Sequence, residues 1–169
     1  MEIDKGEIMS KNVPCVDIEG KKFEVNAANL SFRPAVYGVI IKNGKILLSK
    51  QWDGYSFPGG AIELGETILE SGRRELKEET GLNVEVGKLI DCKESFFKLP
   101  YSDKFVHSIL LFYMCEIIDG DLSLDNLAQD EKDTVSLPEW IDLAKTKELK
   151  FMSTINCVEI INKAINAEG

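Results

Sequence analysis

One helical pattern, running from about residue 65 to Thr80 and stopped by Gly81, stands between β-rich runs and dictates what kind of fold this chain can reach. Ahead of it, residues 35–41 and 45–49 are β-rich and meet at Asn43-Gly44, the pair best able to take the positive φ angles of a type I′ turn. They read as a hairpin. A loop over residues 50–64 then holds Pro58-Gly59-Gly60. Beyond the helix, residues 84–92 and 106–116 read as strands, the second so apolar that it belongs at the centre of its sheet. Residues 119–133 read as a long surface loop. Residues 137–149 and 152–167 read as helices, the latter setting Ile155, Val158, Ile161 (or Ile160) and Ile165 along one face. Strands on both sides of a helix, then terminal helices, predict an α/β fold with a mixed sheet between helical layers.

At 169 residues the chain has the length of one domain, enough to bury a core without disulfides or a metal. Residues 1–31 form an N-terminal extension, within which 13–18 and 23–25 read as a hairpin turning at Glu19-Gly20-Lys21-Lys22. That hairpin carries no visible chemistry and is expected to cover a sheet edge or a partner subunit. The longest unbroken apolar run, from Ile109 to Cys115, is far short of the ~20 residues that span a bilayer. The first eleven residues alternate acids and bases, unlike a secretory signal, so the expected home is the cytoplasm. Cys15, Cys92, Cys115 and Cys157 lie far apart with one His in the whole chain, which argues for reduced thiols over a zinc cage. A net charge of -9 repels a nucleic-acid backbone and excludes a large phosphate-tracking surface. If phosphates bind, cations must help.

Glu75, Glu78 and Glu79 stand at i, i+3 and i+4 of the helix, so their carboxylates share one narrow arc. Such a cluster is either a solvated acidic face or a hard-oxygen site for Mg²⁺ or Mn²⁺, which select carboxylates, carbonyls and water. Gly59 and Gly60, lacking side chains, let backbone approach a metal or phosphate closely. Leu69 and Leu76, with Gly72 between them, mark the opposite face as the one that packs on the sheet, leaving the acids outward over the loop.

Gly60, five residues, Glu66, seven residues, then Arg74-Glu75-Leu76-Lys77-Glu78-Glu79-Thr80-Gly81-Leu82 satisfies every defined position of the Nudix box. The chain thus resembles the Nudix hydrolases, and the approach Gly54-Tyr55-Ser56-Phe57-Pro58-Gly59-Gly60 is also similar to theirs. Departures are small: Ser71-Gly72 where the family often has two Ala, and Tyr55 where it often has Trp. The resemblance implies an α/β/α sandwich whose loop-helix-loop binds Mg²⁺ or Mn²⁺. By position, Glu75, Glu78 and Glu79 would be the metal carboxylates, with the Gly60 carbonyl a further ligand. Arg74 would organise the box, and Glu66 would anchor or orient its loop. The implied reaction is hydrolysis of a pyrophosphate bond in a nucleoside diphosphate linked to another group, such as a nucleoside triphosphate, nucleotide sugar or dinucleoside polyphosphate. The general base then lies inside the box, at Glu78 or Glu79, or outside it, at Glu131 or Asp133. The alternative is a Nudix-fold module that senses a nucleotide without turning it over; its members usually lose box glutamates, and here none is missing.

Aromatic side chains near the box offer stacking surfaces for a nucleobase. Trp52 is the foremost, with Tyr55 and Phe97 each balanced between ligand contact and packing, and Phe57 read as core. Arg33, ahead of the first core strand, is the candidate phosphate grip, and His107 reads as structural. The expected partner is a small nucleotide or nucleotide derivative, and a homodimer is compatible with the sequence.

Overall fold

The computed structural model describes residues 11–127 and 135–168. Along the chain come β1 (Asn12–Val16), β2 (Lys22–Asn26), β3 (Leu30–Phe32), β4 (Ala35–Val39), β5 (Ile41–Lys42), β6 (Lys45–Gln51), β7 (Gly54–Ser56), β8 (Gly59–Ala61), helix α1 (Ile68–Thr80), β9 (Asn83–Lys98), β10 (Phe105–Asp119), β11 (Val135–Asp142) and helix α2 (Cys157–Glu168). The larger sheet runs β2-β1-β9-β10-β4-β8, with β3 also paired to β10; the smaller runs β11-β6-β5, with β7 on β6. It is mixed, since β10 is antiparallel to β9 but parallel to β3 and β4. As its apolar sequence requires, β10 is interior, and the N-terminal hairpin extends the sheet through Val16 opposite Phe97.

Period-2 alternation in the strands sorts side chains into two cores. Ala35 and Val39 of β4, Ile46 and Leu48 of β6, and Leu110 and Phe112 of β10 face α2, which brings Cys157, Ile160, Ile161 and Ala164. On the other side Ile40, Leu47, Val84, Val86 and Cys115 enclose Leu76 of α1. Two helices on opposite sides of packed sheets give the expected α/β/α arrangement. Among the described residues no helix is long and apolar enough to cross a membrane.

Several expected elements are corrected by tertiary packing. The strand expected over 35–41 breaks at Ile40, so β4 stays in the large sheet while β5 turns at Asn43 and Gly44, φ 52° and 72°, into the small one. The loop before α1 contains β7 and β8, and α1 starts at Ile68 rather than at 65, because Thr67 caps it. The helix expected over 137–149 is instead β11 followed by a 3-10 turn, Leu143–Glu148. Pairing of Trp140 and Ile141 with Leu47 and Ile46 decides this, and Pro138 fits where the register slips between Ser136 and Glu139. α2 begins at Cys157, with the Asn156 side chain accepting from the Glu159 amide, so the buried stripe is Cys157, Ile160, Ile161 and Ala164 while Ile165 is 39% exposed. Of the expected loop over 119–133, residues 120–127 carry no helix or strand, and 128–133 lie outside the described residues.

Candidate active site

Local chemistry fixes both ends of α1. Thr67 Oγ1 accepts from the Glu70 amide while the Glu70 carboxylate accepts from the Thr67 amide, a reciprocal capping box. Gly81 ends the helix in the left-handed region at φ 79°, where its amide reaches the Lys77 carbonyl. The buried face is Ser71, Gly72, Leu76, Glu79 and Thr80; Leu69, expected there, is 39% exposed. Gly72 brings the helix close, since a Cβ on it would meet Val86 Cγ2 at 3.3 Å and Val36 Cγ2 at 3.5 Å.

Arg74 is the hub of the box. Its Nε and Nη2 donate to Glu66 Oε1 and Oε2 at 2.6 and 2.9 Å, its Nη1 to Glu75 Oε1 and Glu78 Oε2 at 2.9 and 3.2 Å, and its Nη2 to the Ala61 carbonyl at 3.2 Å. One planar cation thereby offsets the repulsion among the helix carboxylates and ties the loop to the helix. The guanidinium, followed by the Glu63 amide, pulls the Glu66 carboxyl down to about 2. The same carboxylates hold Arg74 above its ordinary value, chiefly through Glu66, so it stays a cation throughout any working pH.

The three glutamates do not all face outward, as the helical spacing alone implied. Glu79 is buried, with Oε2 accepting from the Ser49 hydroxyl at 3.2 Å and from the Gly59 amide at 3.1 Å. Glu75 lies against the glycine turn, where a Cβ on Gly60 would fall 2.5 Å from its Oε2. Glu78 is the most exposed of the three, on the Arg74 side.

A cleft of about 370 Å³ opens beside this face. Among the residues singled out from sequence, Arg33, Trp52, Phe57, Gly59, Gly60, Glu75, Glu79 and Phe97 line it. Arg74, Glu78 and Tyr55 are not among its lining residues; the Tyr55 hydroxyl donates to Glu139 at 3.0 Å and its ring packs against the α2 core. Glu131 and Asp133 lie outside the described residues. His107 stacks on Phe96 and pairs with Glu94 at 2.7 Å, away from the cleft, and Phe57 is core as well as cleft wall. Sequence reasoning missed Tyr37 and Ser49. Tyr37 had a signal in the period-2 pattern, which puts its polar group on the inward face of Ala35 and Val39, whereas Ser49 follows the apolar run Ile46-Leu47-Leu48 on a face shared with Lys45 and Gln51, which gave no such signal. Burial pushes the Tyr37 hydroxyl above the ordinary tyrosine value, with Arg33 beside it pulling the other way.

The donor chemistry fits a hard divalent cation. Glu75, Glu79 and the Gly60 backbone line one cleft, and the space that a Cβ on Gly60 would fill is kept open for the Glu75 carboxylate. Among the described residues no three carboxylates, cysteines or histidines form a ready cage. Carboxylate and carbonyl oxygens are the donors that Mg²⁺ and Mn²⁺ select, with water and substrate oxygens completing the shell.

Residues 31–156 match the NUDIX domain family. The ADP-ribose pyrophosphatase of Methanocaldococcus jannaschii is 33% identical over 138 residues, which span 78% of this chain and 75% of that protein. Among solved structures, an ADP-ribose pyrophosphatase from Streptococcus suis 89-1591 aligns with a TM-score of 0.60 at 20% identity, over 80% of this chain and 91% of its own. A UDP-X diphosphatase aligns at 0.62 and 18% identity, over 82% of this chain and 63% of its own. At such identities the structures speak for the fold, while the domain match and the archaeal relative speak for descent: this chain belongs to the Nudix hydrolase family.

Proposed function

We propose that this enzyme hydrolyses the pyrophosphate bond of a nucleoside diphosphate sugar, with ADP-ribose the first compound to try, using Mg²⁺ or Mn²⁺ held by Glu75, Glu78, Glu79 and the Gly60 carbonyl. The observation that carries this reading is the meeting, in one cleft, of two box carboxylates and the glycine turn with Arg33 and Trp52. The 33% identical archaeal ADP-ribose pyrophosphatase supports the substrate class. In a protein of net charge -9, a diphosphate needs cations to approach, and Arg33 supplies one from the chain itself. When bound, the divalent ion supplies the rest of the charge, polarises a phosphoryl oxygen and acidifies a water.

Water adds across the P–O–P bridge, one phosphorus taking its oxygen and the other leaving with the bridging oxygen, so two phosphomonoesters result. The proton lost by water goes to a carboxylate. Glu79 is the candidate we favour, because Ser49 and Gly59 hold it in the cleft; Glu78, Glu131 and Asp133 remain the other candidates. Arg74 keeps the box in register without touching substrate. Trp52, 37% exposed at the cleft, offers its ring to the base, and Phe97 lines the same wall.

A chromatographic screen of ADP-ribose, UDP-sugars, nucleoside triphosphates and dinucleoside polyphosphates with Mg²⁺ or Mn²⁺ tests this reading. Conversion of ADP-ribose to AMP and ribose phosphate is the expected result. Turnover confined to nucleoside triphosphates would overturn the substrate class, and no turnover of any compound would overturn the site.

A further inference from the structure

We infer that Ser49 is a positioning residue that sets the orientation of the Glu79 carboxylate; the inference rests on the role proposed for Glu79. Ser49 is fully buried near the end of β6, following Ile46, Leu47 and Leu48, all of them also fully buried. Continuing that run with an apolar side chain would serve packing equally well, yet the position holds a hydroxyl, and the hydroxyl is spent on Glu79 Oε2 at 3.2 Å. The same oxygen receives the Gly59 amide at 3.1 Å.

The two donors come from different sheets. Ser49 belongs to β6 of the four-stranded sheet, and Gly59 to β8 of the seven-stranded one. Glu79 itself comes from α1, thirty residues from Ser49 in sequence. The carboxylate is therefore braced where the helix and both sheets converge, and two donors on one oxygen fix the direction in which the other, Oε1, points. Misplacing a reacting group by as little as about 1 Å can reduce rate by roughly a hundredfold, so orientation alone has room to matter. Ser49 does not line the cleft, which is why its role runs through Glu79.

A double-mutant cycle tests the inference, with Ser49→Ala, Glu79→Gln and the double variant compared for kcat and KM on ADP-ribose, or on whichever compound the screen identifies. Thermal melts and Mn²⁺ titration of the metal-free proteins are run alongside. Ser49→Ala is expected to lower kcat about tenfold, to leave KM within about twofold and to weaken Mn²⁺ binding about threefold or more. On the Glu79→Gln background the same change should have no further effect on kcat. Ser49→Cys, similar in size but a weaker donor, should fall between wild type and Ser49→Ala. Wild-type kcat in Ser49→Ala beside an inactive Glu79→Gln would overturn the inference while leaving the proposed site standing. Losses that multiply in the double variant would overturn it too, because Ser49 would then act independently of Glu79. Full activity in Glu79→Gln would instead overturn the reading of the site itself.

Discussion

Arg74 holds Glu66 with two parallel hydrogen bonds, Nε to Oε1 at 2.6 Å and Nη2 to Oε2 at 2.9 Å, across eight residues of chain. This fork fastens the loop before α1 to the middle of the helix, and it leaves Nη1 facing Glu75 and Glu78. A lysine cannot reproduce it, having one nitrogen and no planar pair of donors. Arg74→Lys should lower the melting temperature and reduce kcat by about tenfold to a hundredfold with a smaller change in KM. Steady-state kinetics beside a thermal melt check this.

The same pair sets an acid-side dependence of stability. Because Glu66 has a folded-state carboxyl value of about 2 against an ordinary 4.5, its contribution is fully present above pH 4.5 and is lost as pH falls towards 2. Glu66→Gln should therefore be less stable than wild type at pH 7, with the gap closing as pH drops through that window. Urea midpoints at pH 7, 4 and 3 measure it, and a gap that stays constant would contradict the assignment.

How much of this was legible in the sequence depends on how local the cause was. Asn43-Gly44 and the Gly81 stop each follow from backbone chemistry within a few residues, and each stands where expected. The box glutamates and Arg74 were legible from spacing and resemblance. By contrast, residues 137–149 contain helix formers, and only pairing with β6 makes their first part a strand. The buried side of α2 shifted because the helix starts at Cys157, a boundary set by the Asn156 cap. Spacing on α1 could not separate a buried Glu79 from a half-buried Glu78, since the partners that hold Glu79, Ser49 and Gly59, come from neighbouring strands.

Helix-to-sheet contact on the Leu76 side makes a packing prediction. A Cβ on Gly38 would lie within overlap distance of both Leu76 δ-carbons, and Leu76 is fully buried. Gly38→Ala should destabilise by about 1–3 kcal/mol, the usual range for overpacking a filled core. Denaturant midpoints at unchanged slope would report it.

Trp52 carries a prediction about substrate rather than chemistry. Its ring rests on Tyr101 with centroids 4.8 Å apart, and its own backbone is in the left-handed region at φ 52°. Base stacking is worth about 1–3 kcal/mol per base, so Trp52→Ala should raise KM about fivefold to a hundredfold while changing kcat little. Equal KM for wild type and variant on ADP-ribose would remove Trp52 from the site.

The most direct measurement of the central claim is the turnover of Glu79→Gln set against its thermal stability without metal. Gln keeps the size of the side chain, and its carbonyl can still accept from Ser49 and Gly59, so the fold should melt at the wild-type temperature or above. With Mg²⁺ and ADP-ribose, kcat should nonetheless fall at least about a hundredfold, the lower end of what a general base supplies. Wild-type turnover in this variant would contradict the account, because the buried box carboxylate would then have no part in the reaction.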